Sequence, residues 1–348
     1  KYTRDQIVES ELSYLSNYQR VIINSGKISN KGWEISVSGV PVKVKNFEWK
    51  TIFNWSKNNS MVESLPEGID KIQIGSGVYN VKSYAEVGKP YGAIYAKTFK
   101  RDAEGYILCQ LDGSPKEGQD YEYLGCVQAD WRGGWNNVFR LGNFSFSVMF
   151  DFQKGGKFFS QTSIQSSVDG QSVKSLEGRD ADFFSRKILG ESDEERYGFM
   201  RPQNANTPTA NGQIYPDWGR PKGVVLPNCR YDEDVEGLAG QQVLGYCTPE
   251  RYWMHYTSRD ISRFIYDASY VKLREITVSY DLPKKWLRKT PFQTFRVAAV
   301  GRNIATLFAN TPHGLDPQAT STTGNAQGFE RGFNLPSATY GFDIKVSF

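Results

Sequence analysis

Apolar and polar positions alternate residue by residue in five separate stretches of this chain. Trp33, Ile35 and Val37 are interleaved with Glu34, Ser36 and Ser38. Phe47, Trp49, Thr51, Phe53 and Trp55 alternate with Glu48, Lys50, Asn54 and Ser56. Phe144, Phe146, Val148, Phe150 and Phe152 alternate with Ser145, Ser147, Met149 and Asp151. Ile276, Val278, Tyr280 and Leu282 oppose Glu275, Thr277, Ser279 and Asp281, and Tyr340, Phe342, Ile344, Val346 and Phe348 oppose Gly341, Asp343, Lys345 and Ser347. A period of two puts each set on one face of a β-strand. A soluble antiparallel sheet gives the same pattern, but two details point elsewhere. The apolar faces are aromatic toward strand ends, as the girdles of a transmembrane barrel require, and the opposite faces carry full charges, as a wet lumen allows. A sandwich core would instead bury the apolar face against a second sheet.

The connections alternate in length. Lys43–Asn46 is tight, Gly142–Asn143 is a two-residue turn and Pro283–Pro291 is short. By contrast, roughly a hundred residues lie between the strand ending near Gln153 and the one starting near Tyr270, the long-loop, short-turn rhythm of outer-membrane barrels. With the C-terminus in the periplasm, strand 338–348 runs down, 292–304 up, 270–282 down, 144–153 up, 133–142 down and 91–100 up. For 47–58 and 31–42 to share a periplasmic turn, one more descending strand is needed, and Ile72–Val81 is the candidate, with Lys82–Pro90 as its turn. The expected fold is therefore all-β. It is the C-terminal part, over residues 1–348, of a large antiparallel transmembrane barrel with about nine strands here. Long extracellular loops fall near 101–132, 154–269 and 305–337, and the plug domain and remaining strands lie outside this chain. Pro202, Pro208, Pro216, Pro221 and Pro227 make 199–230 a loop.

Composition narrows the function classes. The 21 Phe, 20 Tyr, 8 Trp and 33 Gly favour strands and turns over helices. Lysine plus arginine number 42 against 38 acidic residues, with no long basic stretch, so nucleic acid is not an expected partner. No apolar run is long enough for a membrane helix, which does not exclude strands of ~9–11 residues. Cys109, Cys126, Cys229 and Cys247 form no Cys-x-x-Cys pair, so no zinc ribbon or thioredoxin motif is supported. Cys229 and Cys247 would close a short loop; whether they form a disulfide in an oxidising compartment is left open. His255 and His313 make no metal pair, and no HExxH or GxSxG motif is present. No enzyme is expected, and no catalytic residue or cofactor is assigned.

Several blocks, in order along nearly the whole chain, carry a family resemblance. FIYDASYVKLREITVSYDLPKKWLRK (Phe264–Lys289) closely resembles a C-terminal block of the SusC/RagA family of TonB-linked outer-membrane transporters from Bacteroidetes. Ile28–Gly39, Phe53–Asn58, Val87–Gly105, Asp130–Gly156, Gly301–Leu307 with Gly314–Pro317, and the closing PSATYGFDIKVSF are similar to further family blocks. The resemblance implies a plugged barrel of about 22 strands. It also implies import of oligosaccharides or peptides driven through TonB, with a SusD-like surface lipoprotein as lid. The implied setting is the bacterial outer membrane, with membrane lipid and lipopolysaccharide around it. The signal peptide, TonB-contacting segment and plug are absent from this stretch. The competing expectation is a secreted or surface glycan-binding, adhesive β-protein without transport activity.

The residues that would carry function are of four kinds. Glu34, Lys50, Asn54, Asp151, Arg296, Arg302, Asp343 and Lys345 are candidates for facing the lumen and touching substrate or plug. Trp218, Tyr252, Trp253 and Tyr256 are loop aromatics that could stack on sugars or face the lid, with loop packing as the plain alternative. Tyr340, Phe342, Ile344, Val346 and Phe348 form a barrel-assembly signal as well as a lipid-facing edge. Asp232, Asp234 and Glu236 precede Gly237 in a D-x-D-x-E-G run that could hold calcium, although an EF-hand would need Glu where Val243 stands. A solvated acidic loop is the simpler expectation. Trp286 with Lys284, Lys285, Arg288 and Lys289 suits a headgroup anchor.

Overall fold

A computed structural model of the chain describes residues 26–176, 224–247, 249–312, 314–319, 327–332 and 337–348, with the backbone of 2–3, 7–11 and 20–24. The strands in chain order are Tyr2–Thr3 (β1), Ile7–Glu11 (β2), Arg20–Asn24 (β3), Lys27–Val44 (β4) and Phe47–Ser64 (β5). Next come Lys71–Ser76 (β6), Lys82–Glu86 (β7), Ala93–Ala96 (β8), Ile107–Cys109 (β9), Glu122–Cys126 (β10), Trp131–Leu141 (β11), Phe144–Lys154 (β12) and Lys157–Ser160 (β13). The last are Val224–Tyr231 (β14), Gln242–Cys247 (β15), Ile265–Asp267 (β16), Tyr270–Asp281 (β17), Thr294–Ala309 (β18), Phe329–Glu330 (β19) and Thr339–Ser347 (β20). Helix α1 spans Gln161–Val168 and the short α2 spans Lys284–Leu287.

Eight strands form one open antiparallel sheet in the order β1-β4-β5-β11-β12-β17-β18-β20. Short turns join its strands at one end. Gly142 opens the β11–β12 turn at φ +57°, a conformation that costs glycine little and other residues more. Its N–H donates to the Asn46 carbonyl at 2.8 Å, and Asp281 N–H donates to the Asn143 carbonyl at 2.9 Å, lacing neighbouring turns together.

Register carries the alternation across strands, because directly paired residues share a face. Val37, Phe53, Trp135, Phe150 and Leu273 fall on one line of register pairs, as do Trp49, Phe139, Phe146, Val278 and Ala299. The result is one continuous apolar face. Its rings stack from strand to strand: Trp49 on Phe139 at 6.0 Å, Phe139 on Phe146 at 6.1 Å, Trp135 on Phe150 at 6.0 Å. Gly133 lies between Trp55 and Phe152, where a Cβ would come within 2.2 Å of the Phe152 ring. Two polar residues on this face have indole partners. Asn137 Oδ1 accepts from Trp49 Nε1 at 3.0 Å, and Thr51 Oγ1 accepts from Trp135 Nε1 at 2.9 Å. Hydrocarbon supplies no such partner, so pairing is what permits polar atoms here. Pro41 lies where β4 shifts register against β5, between Gly39 and Val42, a place where its missing N–H breaks no ladder.

The expected barrel strands at Ile72–Val81 and 91–100 are not in this sheet. Their residues build most of β6 and all of β8, and the expected turn Lys82–Pro90 instead holds strand β7; all three belong to a separate four-stranded sheet, ordered β10-β8-β7-β6. Physically, these strands are too short to cross ~25 Å of hydrocarbon, and all four residues of β8 are buried, leaving no face for lipid. Removing the two strands together preserves the direction of every other one, so counting directions could not expose the error. The segment between β5 and β11 is thus one long connection, 65–130.

The long connections fold into packed units of their own. Phe99, Cys109, Cys229, Tyr231, Tyr252, Trp253 and Tyr256 share one core, and Ile94, Phe159, Ile164, Ile261, Phe264 and Phe329 share another. Glu330, buried on β19, accepts from Ser160 Oγ at 2.6 Å and Thr162 N–H at 3.1 Å, satisfying the start of α1. Pro227 was expected to exclude regular pairing over 199–230. Instead it sits inside β14, which tolerates it by shifting register against β15 between Leu226 and Cys229. None of the four cysteines is in a disulfide. Cys247 pairs opposite Val224, while Cys229 pairs opposite Val243, so the two are offset along the ladder. Cys229 lies instead against Cys109, whose thiol is pushed up by that contact and by burial.

Candidate functional site

The face opposite the aromatic one is polar, and the structure puts all eight lumen candidates on it. Glu34 pairs with Ser56, Ser36 with Asn54, and Asn54 with Gly134, which in turn pairs with Asp151. Lys50 lies opposite Val138, Arg302 opposite Glu275, Arg296 opposite Asp281 and Lys345, and Asp343 opposite Ala298. Three of the eight, Glu34, Asn54 and Asp151, come together. With Ser36, Ser56, Arg132 and Gly134 they line a hollow of about 600 Å³. Gly134 matters here because it presents no side chain between Asn54 and Asp151. The other five are spread over the face. Arg296 is held by Asp281 through two bonds, 2.6 and 2.8 Å, and Arg302 by Glu275 at 3.0 Å.

Sequence reading missed the residues that organise the rim of this hollow. Arg132 Nε donates to Gln153 Oε1 at 2.8 Å. Asp151 is bound by Arg274 and accepts from Tyr270 Oη at 3.2 Å. Arg274 also donates to Gln318 Oε1 at 2.7 Å. Lys272, 1 % exposed, donates to Asp316 at 2.6 Å and to Gln318 at 3.0 Å. A loop segment, 314–319, is thereby clasped onto the polar face of β17. Arg132 and Lys272 could have been found from strand parity. Asp316 and Gln318 could not, since their partners lie more than forty positions away.

The clasp gives a local prediction. Asp316→Ala is expected to speed hydrogen exchange of 314–319 roughly tenfold, about 1.4 kcal/mol, while the main sheet keeps its protection. The cost stays below the ~3–5 kcal/mol of a fully orphaned buried charge because Gln318 and the Tyr270 ring, 5.5 Å from the ammonium, remain. Exchange unchanged within twofold would show that the ion pair does not hold the loop.

The loop candidates fare differently. Tyr252, Trp253 and Tyr256 are core residues, at 1 %, 1 % and 3 % exposed, so the plain packing alternative describes them. Their rings fill the space beside β9, β14 and β15 and present no open face for a sugar. Trp218 lies outside the described residues. In the Asp232, Asp234 and Glu236 run, the two aspartates are paired with lysines. Buried Asp232 accepts from Lys100 at 2.9 Å and pairs with Lys116 at 2.7 Å, and Lys116 also binds Asp234. Among the described residues no cluster of three or more His, Cys, Asp or Glu forms a metal cage.

Burial pushes the Asp232 pKa up, but the bonds from Lys116 and Lys100 outweigh it and hold the carboxyl at about 2. A depressed pKa stabilises the fold above the ordinary carboxylate value of about 4, and that stability is lost as pH falls through about 2. Asp232→Asn is therefore expected to weaken protection of 224–247 at neutral pH by about 1–2 kcal/mol and to flatten its decline between about pH 4 and pH 2. An unaltered acid profile in the variant would contradict this assignment.

The barrel-assembly candidates Tyr340, Phe342, Ile344, Val346 and Phe348 alternate along and just past β20, at the sheet's outer edge. Tyr340 and Phe342 are 76 % and 87 % exposed on the apolar face. Nothing among the described residues covers them.

No family model matches the chain. Among curated proteins, TonB-dependent receptor P3 of Formosa agariphila is 23 % identical over 360 aligned residues, taking in 97 % of this chain and 30 % of that receptor. TonB-dependent receptor P26 of the same organism is 26 % identical over 179 residues, 46 % of this chain and 18 % of that receptor. Among solved structures, the RagAB peptide transporter superposes with a TM-score of 0.58 at 15 % identity, covering all of this chain and 32 % of that one. Its "open-open" state gives the same TM-score. The chain spans about a third of the length of the relatives it matches. Matched sequence, open sheet and the division into an aromatic and a charged face agree: over nearly its whole length the chain is similar to a segment of TonB-dependent receptors, and it shares the barrel fold of the RagAB transporter.

Proposed function

We propose that this chain forms part of the lumen wall and loop crown of a TonB-dependent importer of oligosaccharides or peptides, covered by a SusD-like lipoprotein. The uninterrupted apolar face of the eight-stranded sheet carries this reading. A soluble glycan-binding β-protein would have to cover that face, yet Trp33, Phe342 and Ile344 stand 74 %, 87 % and 63 % exposed. Exposed aromatic surface of this extent suits lipid. The turn end then faces the periplasm and the loop end the outside. The hollow at Glu34, Asn54, Arg132 and Asp151 offers carboxylate, amide and guanidinium groups without a nucleophile–base pair, a set for binding and release rather than reaction. Peptide bonds and sugar hydroxyls both satisfy such groups. RagAB is a peptide transporter, which favours peptide as the first substrate class to screen.

The test is fractionation of the native protein followed by gel migration with and without heating. Recovery as a much larger, heat-modifiable outer-membrane species with a lipoprotein attached supports the importer. Recovery as a soluble species of about 39.4 kDa would replace it with the secreted binding protein.

A further inference from the structure

Where the apolar face ends, at the loop side, its chemistry changes from aromatic to alternating tryptophan and lysine. Trp33 on β4 pairs with Lys57 on β5. Trp131 lies one step past the Arg132–Ser56 pair, and so beside Lys57, and it pairs with Lys154 on β12. Four adjacent strands thus present the row Trp33, Lys57, Trp131, Lys154, all in phase with the apolar face below. Trp131 packs edge-on against Phe152 at 5.9 Å, tying the row to that face. Lys31 stands two residues further out on β4, near Glu63, which already pairs with Lys27 at 2.6 Å. Lys57 and Lys154 are exposed, and among the described residues no carboxylate pairs with either.

The height of the row is informative. From Trp131 to Leu141 at the turn is ten residues, about 34 Å of strand and about 26 Å along the membrane normal at a tilt near 40°. That matches the ~25 Å apolar band of an outer-membrane barrel, so the row sits at its outer boundary. Tryptophan there is expected from its amphipathic ring. Two exposed cations with no carboxylate partner among the described residues, held on rigid strands and spaced by indoles, suit an anion outside the protein at that depth.

We propose that Trp33, Lys57, Trp131 and Lys154 form a docking surface for the phosphorylated diglucosamine headgroup of an outer-leaflet glycolipid of the lipid A type. The lysines meet its phosphates, and the indoles lie against the sugar and upper acyl chains. Charge complementarity and the height of the row on the sheet favour this occupant over solute. The proposal rests on the outer-membrane reading of the sheet.

The test uses the whole transporter purified from outer membranes, exchanged into detergent and titrated with bisphosphorylated lipid A, the same lipid with phosphates removed, and phosphatidylglycerol. The variant Lys57→Gln/Lys154→Gln is compared with Lys43→Gln/Lys45→Gln at the β4–β5 turn, the opposite end of the sheet. The Lys57/Lys154 variant is expected to bind bisphosphorylated lipid A roughly thirtyfold more weakly, at about 1 kcal/mol for each lysine. The opposite-end variant should bind it as the parent does, and the dephosphorylated lipid should bind the parent weakly. Equal binding by both variants and parent, equal binding of the dephosphorylated lipid, or preference for phosphatidylglycerol would each overturn the proposal. Heat-modifiable migration of each variant, scored alongside, separates the two failures. A correctly embedded barrel indifferent to these lysines sinks this proposal alone, whereas a protein that never embeds sinks the barrel reading with it.

Discussion

Val148→Arg should destabilise the embedded protein by about 2–4 kcal/mol, while Ser147→Arg, one residue away, should cost less than about 1 kcal/mol. Val148 pairs with Asn137 and Ile276 near mid-height on the aromatic face, and Ser147 pairs with Val138 and Thr277 on the polar one. A guanidinium at Val148 would have to be desolvated in hydrocarbon or drag water and headgroups toward it. At Ser147 it would extend into an aqueous lumen already lined with charge. The comparison is sharp because backbone and strand are the same, so propensity and ladder hydrogen bonds cancel. Denaturant titration of the whole transporter refolded into lipid vesicles measures both. Equal costs would mean the two faces do not differ in solvent.

Deletion of Tyr340–Phe348 should have the largest effect, abolishing stable insertion in the outer membrane. β20 pairs with β18 over nine consecutive register positions, from Thr294 with Ser347 to Arg302 with Thr339. Its removal strips β18 of one full side of its ladder and exposes unpaired N–H and C=O groups, each costing several kcal/mol in lipid. It also removes the alternating aromatic edge expected to signal assembly. Surface labelling of the truncated transporter in cells checks this. Normal surface levels would contradict it, and Phe348→Ala with intact β20 separates loss of a terminal aromatic from loss of the strand.

Much of the fold was legible because a membrane strand is solvated differently on its two faces, and a period of two records that directly. Every strand of the sheet with a quoted alternation pattern, from Trp33 to Phe348, falls where that pattern puts it. The pattern failed for Ile72–Val81 and 91–100 because soluble loop strands alternate too. Length and burial tell them apart, and β8 with its four buried residues meets neither requirement of a spanning strand. The site was legible by face but not by focus. Parity puts Glu34, Asn54 and Asp151 on one face of the sheet, yet their convergence depends on register between strands nearly a hundred residues apart. Lys100 and Asp232 are separated by 132 positions, so the charge balance of the acidic run could not be seen locally. Tyr252 and Trp253 illustrate a further limit. Aromatic residues in a long loop look alike whether they pack inward or stack on a ligand, and only the surrounding core at Tyr231 and Cys247 distinguishes the two.

The central claim is that one face of this sheet meets lipid and the other water. It is tested most directly by nitroxide scanning of β12 in the whole transporter, reconstituted in vesicles with Cys126→Ser to remove the partly exposed thiol. Labels at 146, 148 and 150 should collide with dissolved oxygen, and labels at 145, 147 and 151 with a water-soluble nickel complex, alternating with a period of two. Labels accessible to nickel at every position, or no alternation at all, would contradict the account.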